Sequence, residues 1–234
     1  RIGQTLAEDI CLVTGQKPSV LDETALESPE KRKKLIFCAT WGKSALLEQL
    51  HQKGIWKEQQ IAGKREVFSI QLLENPFPGV EQALVIAGSD KRGTIYGMFH
   101  LSEYLGVTPL VYWGDAAPAK NPQAEIREDI CCVSREPSVK YRGFFINDEW
   151  PCFGNWVNEH FGGFCADAYR YVFEFLLRMK GNYLWPAMWT SSFPLDGPGS
   201  ANEELADMYG VIIGYSHHEP CLRASGVWDK VKRK

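Results

Sequence analysis

VIIGYSHHEP, residues 211–220, runs from three β-branched apolar residues into two histidines, a glutamate and a proline. FFINDEWP, residues 144–151, has the same form, aromatic and aliphatic residues leading straight into Asn147, Asp148 and Glu149. A third run, Tyr183–Met188, is a strand candidate broken by Pro186 and followed by Trp189. Helical periodicity fills the gaps between them. Asp167 is placed to cap a helix in which Ala168, Tyr171, Val172, Phe175, Leu176 and Met179 recur at three and four residues, with Gly181 at its end. Asn202 is placed to cap a shorter helix carrying Leu205, Met208 and Tyr209, ended by Gly210. Strand, helix, strand, helix, strand predicts parallel strands joined by crossover helices. In such a sheet or barrel the residues just past the strand C-termini face one rim, where α/β active sites lie. Asp148, Glu149, Trp189, His217, His218 and Glu219 each follow a strand and are expected there.

Upstream, residues 2–14 fit a short helix, and residues 21–34, charged and turn-rich, read as a surface connection. Leu35–Ala39 is a short buried-strand candidate. Ala45, Leu46, Leu47 and Leu50 share one face of a helix that Gly54 ends. Glu66–Leu73 alternates as a strand does, and Ala83–Ala87 is wholly apolar. Ile95, Met98, Phe99, Ser102 and Leu105 then follow helical spacing, with Gly106 just past the end, and Leu110–Trp113 reads as one more short strand. Residues 116–138, with several Pro and Ala and a charged patch, read as a linker. The fold class is therefore α/β: a mixed α/β domain over residues 1–115, a linker, and over residues 139–234 the first strands and helices of a (β/α)8 TIM-type barrel. A closed barrel takes ~250 residues, so three such units make an incomplete one.

The 234 residues are 44% hydrophobic, enough to bury a core. A net charge of −3 gives no electrostatic case for a nucleic-acid or anionic-membrane partner. No apolar run approaches the roughly 20 residues that span a bilayer. Eight Trp, 12 Phe and nine Tyr supply aromatic faces that suit sugars, although core packing is their commoner use. Seven cysteines, with no C-x-x-C and with Cys131 beside Cys132, exclude a disulfide scaffold and a zinc motif. His217, His218 and Glu219 are metal-ligand types, but neighbours on extended backbone point apart and a third ligand is not evident, so no metal is expected. The run Gly88–Thr94 sits between a strand and a helix, where anions bind, but it lacks the Gly-Lys-Ser/Thr ending of a phosphate loop. Gly42-Lys43-Ser44 has that ending, with Phe37 where the first glycine is required.

Four stretches in order, ALVIAGSDKRGTIYG (83–97), PSVKYRGFFINDE (137–149), LLRMKGNYLWPAMW (176–189) and SHHEP (216–220), closely resemble glycoside hydrolase family 115. The resemblance runs over most of the chain from about residue 60. It implies a xylan α-1,2-glucuronidase that removes glucuronic acid or its 4-O-methyl form, with inversion and without a cofactor. It also implies an N-terminal α/β domain ahead of a (β/α)8 catalytic domain. Such enzymes are typically secreted, so an extracellular setting is expected. The partners implied are glucuronoxylan or aldouronic acid oligosaccharides, with homo-oligomers possible in a full-length protein. Family members are several times longer, so the chain is expected to lack part of the active site, including the general acid. The alternative is a non-catalytic carbohydrate-binding remnant. Cys152–Gly154 and Asp196–Ser200 depart from the family's commonest pattern and are read as loops that alter substrate fit.

Inverting glycosidases hold an acid and a base ~6.5–9.5 Å apart. Adjacent residues at a strand end point to different sides, which argues against Asp148 and Glu149 as that pair. The resemblance makes Asp148 the residue that contacts sugar or water; a turn capped by Asn-Asp is the purely structural alternative. It makes His217 or His218 a hydrogen-bond partner of the uronic acid. Trp185 and Trp189 flank Pro186, one able to wall the sugar ring while the other packs in the core. Asn147, Glu149 and Glu219 complete the substrate-binding set at the rim. Asp90, Lys91 and Arg92 join it if their loop reaches the barrel mouth; a solvated helix start is the alternative.

Overall fold

The first unit, Arg1–Ser138, runs α1 (Ile2–Thr14), β1 (Arg32–Thr40), α2 (Ala45–Gln52), β2 (Phe68–Glu74), β3 (Val80–Gly88), α3 (Lys91–Tyr104) and β4 (Cys132–Val133). These come from a computed structural model that describes residues 1–27, 32–187 and 191–215, with residues 228, 231 and 232. The strands form one sheet in the order β1-β3-β2-β4. β3 is central because it is the strand with no polar face: Ala83 through Ala87 are all buried. It pairs in parallel with β1, Leu35 against Ala83 through Thr40 against Gly88, and antiparallel with β2, Ile70 against Ile86. One core cluster joins Phe37, Val85 and Ala87 to Leu47 and Leu50 of α2 and to Trp56. α3 packs on β3, with α1 against α3, where the Ser102 hydroxyl donates to buried Asp9 Oδ2 at 2.6 Å. α3 ends at Tyr104, with Leu105 as its C-cap and Gly106 following at φ 90°, the left-handed position expected of it.

Two upstream expectations change. Leu110–Trp113 forms turns, not a strand: Val111 N donates to Thr108 O and Gly114 N to Leu110 O, so its backbone groups are spent locally. Residues 116–138 are tied to the first unit. Asn121 N donates to Val13 O, β4 pairs antiparallel with β2, and the Ser134 hydroxyl accepts from Phe68 N at 2.9 Å.

The second unit, Val139–Lys234, runs β5 (Gly143–Phe145), α4 (Cys152–Phe161), α5 (Ala166–Arg178), β6 (Tyr183–Trp185), α6 (Ala201–Tyr209) and β7 (Ile212–Ile213). The three strands are parallel and in chain order, Phe145 opposite Trp185 and Tyr183 opposite Ile212. That is the order of consecutive β/α units. α5 covers one face, where Phe144 meets Phe175 at 5.8 Å between ring centroids and Leu184 is buried.

Within this unit several local readings shift. Cys152–Gly154 is not a loop but the first turn of α4, whose C-cap Gly162 has φ 76°. Cys165, not Asp167, caps α5, and Asp167 sits in the first turn, where its charge suits the helix dipole. The buried face of α5 is Ala168, Tyr169, Val172, Phe173, Leu176 and Leu177, while Met179 is exposed. The stripe is turned because Tyr169 and Phe173 pack on Phe193 and Tyr209. Lys180, φ 58°, takes the left-handed position ahead of Gly181. Ser200 caps α6, and Asn202 lies buried inside its first turn.

Candidate active site

β5 delivers the first polar cluster. Its pairing continues one step beyond the strand, where Ile146 N donates to Trp185 O at 2.9 Å. Past that point Asp148 is completely buried and Glu149 is exposed. The alternation that argued against them as one acid–base pair is therefore realised: one carboxyl group lies inside and the other outside. The Asn147 amide nitrogen donates to Glu149 Oε1, and Glu149 takes φ 20° where the chain turns toward α4. A carboxyl group gains nothing from burial itself; desolvating it is costly unless partners satisfy it.

β6 delivers an aromatic face. Tyr183 and Trp185 lie two residues apart and so share the face away from α5. Trp185 Nε1 donates to the Tyr183 hydroxyl at 2.9 Å, and Phe145 meets the indole edge-on at 6.1 Å. Gly214, next along from β7, makes room for the pair: a Cβ there would stand 1.7 Å from the Tyr183 hydroxyl oxygen. Trp185 is 36% exposed, so its indole is held at the edge by a hydrogen bond while still presenting ring surface to solvent. Period-two alternation was enough to pair Tyr183 with Trp185; the sequence reading did not single out Tyr183. Trp189, His217, His218 and Glu219 lie outside the described residues.

In the first unit, the start of α3 carries its own anion. Asp90 Oδ1 accepts from Gly93 N at 2.8 Å, and Oδ2 accepts from Glu66 N at 2.9 Å. Arg92 Nε donates to the buried Glu66 carboxylate, and the Ser89 hydroxyl accepts from Val67 N at 3.0 Å. A visiting anion would have to displace the Asp90 carboxylate. Helix capping and an internal ion pair are the observed uses of Asp90 and Arg92; Lys91 is exposed beside them.

A further polar group follows β6. Asp196 accepts from the Ser191 hydroxyl and from Ser192 N. The Tyr169 hydroxyl lies nearby; burial pushes its ionisation far above the ordinary range, and the charge of Asp196 adds to the shift.

Residues 134–234 match the model of glycosyl hydrolase family 115. This part of the chain is similar to that family. The family 115 region begins at Ser134 and includes Asp148, Tyr183, Trp185 and Asp196. Similarity upstream of it comes from a solved structure, a family 115 4-O-methyl-α-glucuronidase with specificity for decorated arabinogalactans. It aligns with 96% of this chain at 30% identity and a TM-score of 0.76. The chain spans 28% of the length of that structure. No curated protein matches the sequence.

Proposed function

We propose that the chain carries part of the machinery of a glycoside hydrolase that releases glucuronic acid, or its 4-O-methyl form, from an α-1,2 link to xylan with inversion. The observation that carries this is Asp148, a carboxyl group wholly buried just past the C-terminal end of β5, within the family 115 region. In this reading β5, β6 and β7 are the first strands of a (β/α)8 barrel, and the segments after them form part of its mouth. Burial strengthens the interaction of Asp148 with any hydroxyl or water it orients. The Trp185 indole offers a flat apolar wall to the C–H face of a sugar ring, with Tyr183 fixing its tilt. Asn147 and Glu149 sit beside them, and Trp189, His217, His218 and Glu219 are assigned to the same mouth. Inversion requires two carboxyl groups and a water, so no cofactor enters. A polymeric substrate goes with an extracellular setting. The solved family 115 relative acts on decorated arabinogalactans, so that polymer belongs beside xylan in any substrate panel.

The test is release of uronic acid from aldouronic acid oligosaccharides. The 234-residue chain by itself is expected to show no turnover, because Asp148 is the one wholly buried carboxyl group among the described residues of the second unit. In an enzyme that joins these residues to the remaining length of the matched fold, Asp148→Asn is expected to lower kcat by ~10²–10⁴. An unchanged kcat would sink the assignment. Binding of the same oligosaccharides without turnover, indifferent to Asp148→Asn, would favour the carbohydrate-binding alternative.

A further inference from the structure

The first unit holds a cavity of about 370 Å³, within the ~300–1,000 Å³ typical of small-molecule sites. It is bounded by α1, β1, α3 and residues 18–26 of the connection between α1 and β1. On β1 the alternation sends Phe37 into the core cluster with α2, which leaves Ile36 and Cys38 on the side of the cavity. Leu6, Ala7 and Ile10 of α1 and Met98 of α3 supply apolar walls. The connection crosses α1 at Gly3, where a Cβ would stand 3.2 Å from a Val20 methyl carbon. That close approach holds Val20 and Leu21 along the rim of the hollow.

Polar groups on the wall are already engaged. The Thr94 hydroxyl donates to Ala39 O at 3.1 Å and lies 2.7 Å from the Thr40 hydroxyl. Glu23 Oε2 accepts from the Ser44 hydroxyl at 2.8 Å, and Asp22 Oδ1 from Thr24 N at 3.1 Å. Burial pushes the Cys38 thiol up to about 12, so it keeps its proton. Water stays ordered in a cavity only with about two to four polar partners, and loosely held water is displaced by apolar groups with a gain in affinity. An apolar cavity of ~150 Å³ accepts benzene, so this one has room for one ring with a short substituent. Two sulfur atoms belong to its lining, those of Met98 and Cys38, and each contact of sulfur with an aromatic ring is worth about two- to tenfold in affinity. A charged ligand would shed its hydration against an apolar wall, which is costly. We propose that this cavity is a binding site for an uncharged small molecule built on a single aromatic ring. The site lies wholly in the first unit and does not depend on the glucuronidase reading.

The 234-residue chain, ¹³C-labelled at its methionine methyl groups, is titrated with benzyl alcohol, with cyclohexylmethanol and with benzoate. The Met98 signal is identified by its loss in Met98→Leu. Benzyl alcohol is expected to shift that signal to saturation and to leave the signals of the exposed Met179 and Met208 in place. Cyclohexylmethanol has the same skeleton without the aromatic ring and is expected to bind about threefold more weakly or worse. Benzoate keeps the ring but carries a charge and is expected to bind about tenfold more weakly or worse. Ala7→Leu on α1 and Ala25→Leu on the connection each fill part of the hollow, and each is expected to weaken benzyl alcohol about tenfold with the other methyl signals unchanged. Two filling positions on different elements keep the test intact if one variant fails to fold. A Met98 signal that benzyl alcohol leaves in place overturns the proposal. So does equal binding of either control compound, or binding undiminished in a folded filled variant.

Discussion

The Asn202 side chain donates to three backbone carbonyls: Phe193 O and Asp196 O at 2.7 Å and Phe164 O at 3.2 Å. Its residue type suits a helix cap, and the sequence reading placed it there. Instead the amide turns inward from the first turn of α6 and is 2% exposed. The carbonyls it serves lie between six and 38 residues away, so no local pattern announces the role. Asn202→Ala strands buried carbonyls that water cannot easily reach, and is expected to cost ~2–4 kcal/mol of unfolding free energy in urea titrations. A loss below ~0.5 kcal/mol would mean the carbonyls are hydrated and the amide is dispensable. Asp148 shows the same limit of sequence reading. Alternation separates it from Glu149, but which of the two goes inside depends on what packs around the strand end.

At the scale of elements, the turn from β3 into α3 is held by backbone proximity. Gly93 lies in the first turn of α3, and a Cβ there would stand 2.3 Å from Val67 O. Alanine at a helix position gains ~1 kcal/mol over glycine. Here the obstructing atom is backbone that is itself hydrogen-bonded to Ser89 N, so it cannot move aside cheaply. Overpacking costs of ~3 kcal/mol therefore win, and Gly93→Ala is expected to destabilise the first unit by ~2 kcal/mol net, read from its melting or urea midpoint. A stabilised variant would show that the turn relaxes. Sequence periodicity foretold α1, α2, α3 and β3 within a few residues. It missed α4, although Phe153, Val157 and Phe161 recur there every four residues and Gly162 supplies the left-handed end. It set α5 one stripe off because two apolar stripes overlap on that helix, and only Phe193 and Tyr209 select between them.

For the molecule as a whole, burial sets how stability responds to alkali. Burial pushes the Cys38 thiol of β1 up to about 12. In the unfolded chain a cysteine ionises near ~8.5, so above that pH the unfolded state holds fewer protons than the folded one, and stability falls as pH rises. The slope from this one group is at most ~1.4 kcal/mol per pH unit, extends toward the folded value, and vanishes below about pH 8. Tyr169, also shifted upward by burial, acts in the same direction in the second unit at higher pH. Urea titrations between about pH 8 and pH 10 are expected to show the decline, and Cys38→Ala to flatten it in the first unit; an unaltered slope in that variant would assign the decline to other groups. The amino-acid sequence alone was sufficient for the α/β class, the parallel strand–helix alternation and the placing of polar residues after strands, because these follow from spacing along one chain. Tertiary structure alone decided that Asp148 is buried while Glu149 is exposed, and that Asp90 closes its own helix start. Those outcomes depend on which distant segments compete for the same space and the same hydrogen bonds, and that competition leaves no local pattern in the sequence.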